Sequence, residues 1–225
     1  MKKFVIGNWK SNKNQAEIYE FFQFLKTKFD LHKNDLNPDI VKIICPAFIH
    51  LQLAHKLVNE YKLPVSLGAQ NISPFDPGAY TGEVNGKQLF EYVSYCIIGH
   101  SERRQNFAEN EILLRLKTNQ AEKWGIKSIF CVQDENTPVP ENVRIVAYEP
   151  VSAIGTGTPD TPDNALKVIK RIKSKNKLNS VVYGGSISVE NINQYLKISE
   201  IDGVLVGGAS LSPGKFLSMI LNAYS

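Results

Sequence analysis

Val146-Ala147-Tyr148-Glu149-Pro150-Val151-Ser152-Ala153-Ile154-Gly155-Thr156-Gly157-Thr158-Pro159 is an apolar run that ends in one carboxylate and passes at once into a glycine-bearing loop. Period-two alternation sets Ala147 and Glu149 on one face of a strand and Tyr148 on the other. Pro150 holds Glu149 to extended conformations, so the carboxylate sits where the strand stops. Gly155 and Gly157 let the loop backbone come close to a ligand. In an ordinary β-α turn Glu149 would be a solvated rim residue. A base at a strand tip beside such a loop is also the layout of a barrel enzyme's active face. That second possibility makes a testable demand on the rest of the chain: strands and helices must alternate, and other chemical groups must stand at other strand ends.

They do alternate. Phe4 to Lys10 reads as the first strand, with Asn8 and Lys10 on one face, and Asn14 to Phe29 carries apolar residues at helical spacing. Val41 to Cys45 is a strand stopped by Pro46, Leu51 to Tyr61 a helix, and Val65 to Ala69 a third strand. A long Pro- and Gly-rich connection, residues 70–83, follows; loops of this length in compact domains are usually functional. Tyr95 to His100 is the fourth strand and Ile112 to Trp124 a helix, while Lys127 to Val132 is the fifth strand. Strand six is the opening stretch, and a helix from Pro162 to about Lys175 comes after it. Strands seven and eight end in Gly184-Gly185 and Gly207-Gly208. Both double-glycine turns expose backbone N–H groups that suit a phosphate, at the strand ends where barrels usually bind one. The chain of 225 residues is therefore read as a single α/β domain, residues 1–225, folded as a (β/α)₈ barrel.

One unit is expected to be incomplete. Only ten residues, Gln133 to Asn142, separate strands five and six, where a parallel crossover normally takes a dozen or more and a helix. Pro138 and Pro140 would each break a helix interior, and Val139 is the one apolar residue besides them. Ten extended residues reach about 33 Å, enough to descend a strand about 20 Å tall. The outer helix between strands five and six is therefore expected to be missing, leaving Phe130, Val132 and Tyr148 in need of cover.

Bulk properties exclude several functions. A net charge of +4 is too small and scattered for nucleic-acid binding, and the basic helix around Lys170 lacks interleaved aromatics. No apolar run approaches membrane-spanning length. Cys45, Cys96 and Cys131 form no metal or redox motif and read as buried, reduced thiols of a cytoplasmic protein. His32, His50 and His55 have no ligand-like spacing and read as surface residues. His100 differs, standing at a strand end with Ser101-Glu102-Arg103-Arg104 after it as a helical turn, whose N–H groups disfavour an imidazolium.

Four segments in order, Gly7-Asn8-Trp9-Lys10, Gly99 to Arg104, the opening stretch, and Tyr183-Gly184-Gly185-Ser186 with Gly207 to Leu211, resemble the triosephosphate isomerase family. The resemblance runs over nearly the whole chain. It implies Glu149 as the proton shuttle, with His100 and Lys10 stabilising an enediolate and Asn8 also contacting substrate. A glutamate base beside a neutral histidine is the arrangement long associated with that family, so the resemblance supplies it. It further implies Gly155, Ser186, Gly207 and Gly208 as phosphate donors, Glu102 as support for Lys10, and Tyr183 as a latch. No metal or organic cofactor is implied. The loop 70–83 resembles an intersubunit loop, implying a homodimer in which Thr81 reaches the neighbour's Asn8 and Lys10 region. Three departures stand out: Ser152 replaces a bulky hinge residue, commonly tryptophan; Cys131-Val132-Gln133-Asp134 replaces the usual end of strand five; and the next connection is short. Another sugar-phosphate barrel, such as a metal-dependent epimerase, and an inactive phosphate-binding barrel are the alternatives.

Overall fold

The computed structural model describes residues 2–150, 159–176, 178 and 180–223. Eight parallel strands close into a barrel in sequence order: β1 (Lys3–Asn8), β2 (Ile40–Cys45), β3 (Ser66–Ala69), β4 (Tyr95–Ile98), β5 (Lys127–Val132), β6 (Ile145–Tyr148), β7 (Ser180–Tyr183) and β8 (Gly203–Val206). Closure is made by β1, which pairs with β2 over six residues and with β8 from Phe4↔Gly203 to Gly7↔Val206. Alternation sorts the side chains into two layers. Phe4, Ile6, Ile43, Ile97, Cys131 and Ala147 belong to a cluster that fills the barrel. Their neighbours Val5, Ile44, Ile98, Phe130, Val132 and Tyr148 join the layer shared with the helices.

Helices α1 (Gln15–Leu31), α2 (Leu51–Glu60), α3 (Gly86–Leu89), α4 (Ser101–Asn106), α5 (Glu111–Lys123), α6 (Pro162–Asn176), α7 (Ile192–Leu196) and α8 (Pro213–Asn222) lie in the connections. The first shows why they form. Asn14 caps it, its side chain accepting from the N–H of Glu17 while the Glu17 carboxylate accepts from that of Asn14. Ile18, Phe21, Phe22, Leu25 and Phe29 then recur at helical spacing and are buried.

The connection from β5 to β6 contains no helix, as its length and prolines require. Turn chemistry holds it instead. Asp134 Oδ1 accepts from the N–H groups of Asn136 and Thr137, both at 2.8 Å, and Glu135 pairs with Arg171 at 2.9 Å on α6. Val139 packs on the core and supplies part of the missing cover, so that Phe130, Val132 and Tyr148 are at most 5% exposed. The cover is imperfect: a cavity of about 260 Å³ remains between Leu114, Phe130, Pro138, Val139 and Pro140.

Two readings are corrected by the structure. His50 is buried, not on the surface, because Nε2 meets the carbonyl of Lys13 at 2.9 Å. The first strand ends at Asn8 and not at Lys10, and Lys10 itself has a left-handed backbone, φ 53°. The peptide turns there because Asn8 Oδ1 accepts from the N–H of Lys10 at 3.0 Å. The helices α7 and α8 were not evident from spacing alone. No helix of the described residues is long and apolar enough to cross a membrane.

Candidate active site

The C-terminal ends of six strands, β1, β3, β4, β6, β7 and β8, converge on one cleft. Lys10 comes from the turn after β1 and is fixed from both sides. Gln70, just beyond β3, donates to its carbonyl at 2.9 Å and to that of Cys45 at 2.8 Å, while the ammonium pairs with Glu102. His100 follows β4, and its hydrogen bonds decide its tautomer. Nδ1 accepts from the N–H of Glu102 at 3.3 Å, so this nitrogen carries no proton. The ring proton of a neutral imidazole is then on Nε2, which lies 3.2 Å from Glu149 Oε1. An N–H donor therefore points into the cleft.

Glu149 stands one residue beyond β6 and is 2% exposed. Its Oε2 accepts from the N–H of Ser101 at 3.1 Å. Burial raises its pKa above the ordinary glutamate range, against the opposing pull of His100, the Ser101 N–H, the Cys131 thiol and Lys10. A carboxylate so placed is a stronger base than one in water, and it is held still. The turn after β7 makes room for it: a Cβ on Gly184 would lie 2.8 Å from Glu149 Cγ. Gly184→Ala is accordingly expected to push the carboxylate aside and cut turnover by about 10²-fold, the scale of a misplacement near 1 Å. Steady-state kinetics checks this; turnover within twofold of the wild-type value would contradict the packing argument.

The two glycine turns meet this group from the other side. Gly207 flanks Lys10, since a Cβ on it would sit 3.5 Å from Lys10 Cε, and a Cβ on Gly208 would meet nothing within 4 Å. Ser186 is half-buried at the turn after β7, which Asn191 braces by donating to the Ser186 carbonyl at 3.0 Å. Asn8 is 5% exposed at the end of β1, and Tyr183 is buried at the end of β7. The structure thus brings together Asn8, Lys10, His100, Glu102 and Glu149, with the turns at Ser186, Gly207 and Gly208 around them. Gly155 and the hinge position Ser152 lie outside the described residues. Thr81 is exposed and not part of the cleft within one chain. Among the described residues, no three His, Cys, Asp or Glu side chains are grouped so as to hold a metal ion.

Two contributors escaped sequence reading. Cys131 reads as a buried, reduced thiol without a motif, yet it lies inside the barrel where it bears on the electrostatics of Glu149. Alternation along β5 sets it on the inward face, which was the available signal. Gln70 gave no signal beyond its place at a strand end.

Comparison with known proteins agrees with this geometry. The family model for triosephosphate isomerase matches residues 3–143 and 139–223, two stretches that meet inside the short connection after β5. Proteins named triosephosphate isomerase from Mesomycoplasma hyopneumoniae (strain 7448) and Gloeothece citriformis (strain PCC 7424) are 38% and 39% identical to the chain. The first alignment covers 99% of this chain and 100% of the relative, and the second 98% and 99%. A third, from Nostoc punctiforme, is 37% identical over 98% of both.

Proposed function

The chain belongs to the triosephosphate isomerase family, and from that premise we propose that Glu149, His100 and Lys10 carry its interconversion of D-glyceraldehyde 3-phosphate and dihydroxyacetone phosphate. One observation carries the assignment: a buried carboxylate, an imidazole N–H and an ammonium share one cleft with two glycine turns. Glu149 takes a proton from the carbon beside the carbonyl; the C–H electrons form the enediolate double bond, and the carbonyl electrons move onto oxygen. His100 Nε2–H and the Lys10 ammonium stabilise that charge. The neighbouring hydroxyl gives its proton to the first oxygen through His100 Nε2, which donates one proton and takes up the other. Glu149, now protonated, then delivers its proton to the adjacent carbon as the second oxygen's electrons re-form a carbonyl. Backbone N–H groups of Ser186, Gly207 and Gly208, with Gly155, hold the phosphate, and Asn8 lines the substrate side. Glu102 orients the Lys10 ammonium through their ion pair. A coupled assay on glyceraldehyde 3-phosphate, with His100→Gln beside the wild type, tests the set. Loss of about 10²-fold is expected for the variant, and undiminished turnover would remove His100 from it.

The active form is a homodimer built by the loop 70–83, in which Thr81 closes the partner's site. Three features support this. Phe75 and Tyr80 stack at 4.2 Å on the loop and remain 39% and 45% exposed. Phe107 is 62% exposed. Beside it, a cavity of about 280 Å³ runs from Asn8 and Lys10 to Phe48 and Arg103, a socket of suitable place and size for such a loop. Analytical ultracentrifugation should give a dimer at micromolar concentration; a fully active monomer would contradict it. The three buried, unpaired thiols suit a reducing cytoplasm.

A further inference from the structure

The helix-free connection from β5 to β6 covers the outside of the barrel incompletely, and the space it leaves has a chemistry of its own. The cavity of about 260 Å³ lies between this connection and α5. Its floor is apolar, made by Phe130 of β5 and Leu114 of α5, both 1% exposed. Pro138, Val139 and Pro140 form one wall, and Ile112 stands exposed at the rim. Three charged side chains complete the lining: Arg104, Glu111 and Arg115. The family match breaks inside this same connection, so the cavity stands where the chain departs from its relatives.

The charges are not used up within the protein. Arg104 Nε donates to the carbonyl of Gly99 at 2.8 Å and Nη2 to that of Cys131 at 2.9 Å, with the guanidinium 5.6 Å from the centre of the Phe130 ring. A guanidinium has five N–H donors, so the others have no partner among the described residues. Glu111 and Arg115 stand about one turn apart on α5, both exposed, and neither makes an ion pair among the described residues. Two cations and one carboxylate give the lining an excess of one positive charge above an apolar floor.

Size and charge together select an occupant. A dry apolar cavity of about 150 Å³ holds a benzene ring, so the larger space here admits one ring with a short acid arm. One carboxylate balances the excess charge, whereas a phosphate ester carries close to two negative charges and a triose phosphate has no apolar body to cover the floor. We propose that this cavity is a second ligand site, for a small apolar monocarboxylate whose body lies on Phe130, Leu114 and Val139 and whose carboxylate is bound by Arg115 and Arg104. It shares no lining residue with the cavity that runs from Asn8 and Lys10, yet Gly99 directly precedes His100, so Arg104 ties the new site to the catalytic strand ends.

Phenylacetate, one ring and one carboxylate in about ten non-hydrogen atoms, is the probe, and binding is read without turnover. An NMR titration should give a Kd on the order of 0.1–1 mM, with the amide signals of Leu114, Phe130 and Val139 shifting. Phenylacetamide and phenethylamine keep the ring and lose the negative charge, so they should bind at least about tenfold more weakly. Arg115→Gln, at an exposed helix position, should weaken phenylacetate by about tenfold. Val139→Trp fills the cavity from the opposite wall and should abolish binding, so the site is tested from two sides even if one variant folds poorly. Saturating 2-phosphoglycolate, a carboxylate analogue of the enediolate, should leave the titration unchanged. Absence of binding well above that range, equal affinity for the three probes, or phenylacetate displaced by 2-phosphoglycolate and indifferent to Arg115→Gln would overturn the proposal.

Discussion

Glu149→Gln is expected to lower turnover by at least about 10²–10⁴-fold, the range of lost acid–base catalysis, while leaving the fold intact and slightly firmer. The amide has the shape of the carboxylate and can still accept from Ser101 or His100, but it cannot take a proton from carbon. The firmness follows from the direction of the pKa shift. Burial raises the folded-state pKa of Glu149 above its unfolded value, so the charged form costs stability at pH above that raised pKa. The cost is relieved as pH falls through it toward the ordinary glutamate range. The variant, carrying no charge, should melt at or above the wild-type temperature at pH 7, with the difference shrinking on acidification. In the wild type, kcat/KM should fall on the acid side at a pH above the ordinary glutamate pKa, because only the ionised form is a base. Binding of 2-phosphoglycolate should largely survive in the variant, since the phosphate turns are built from β7 and β8. A Glu149→Gln protein keeping more than about a tenth of wild-type turnover would remove this residue from the mechanism.

Lys10→Met should have the next largest effect, a fall in kcat/KM of about 10²–10³-fold, the scale of deleting one preorganised oxyanion partner. Its stability consequence should be small. The Lys10–Glu102 pair is 32% and 42% exposed, so the carboxylate left behind is solvated and the lost pair is worth about 1 kcal/mol or less. Methionine retains most of the aliphatic stem that runs past Gly207. Large loss of activity with little change in melting temperature is thus the signature that separates a charge acting on substrate from one holding the fold. Equal losses in both would assign Lys10 a structural role instead.

Much of this molecule is legible in its residue order because barrels are regular. Short all-apolar runs such as Ile129 to Val132, bounded by turn residues, read as the strands of a parallel sheet buried on both faces. The absent helix between β5 and β6 was legible for the same reason: ten residues with two prolines and one other apolar side chain leave no amphipathic face to bury. His100 and Glu149 stand where apolar runs stop and Lys10 lies just beyond one, but it was the family resemblance, not those positions, that gave the three their roles. What stayed hidden depends on contacts across the barrel. The sulfur of Cys131 looks like any core thiol until β5 and β6 pair through Cys131↔Ala147, bringing it under Glu149. His50 reads as polar and exposed until the carbonyl of Lys13 arrives from another turn.

The central claim is that this cleft moves a proton between adjacent carbons of a triose phosphate using only its own side chains. Incubating the protein with dihydroxyacetone phosphate in D₂O containing excess EDTA, and following the carbon-bound protons by NMR, tests it most directly. The account predicts glyceraldehyde 3-phosphate formation with deuterium entering at the exchanging carbon, at a rate unchanged by the chelator and lost in Glu149→Gln. Absence of exchange and product above the buffer blank, or conversion that stops when EDTA is added, would contradict it.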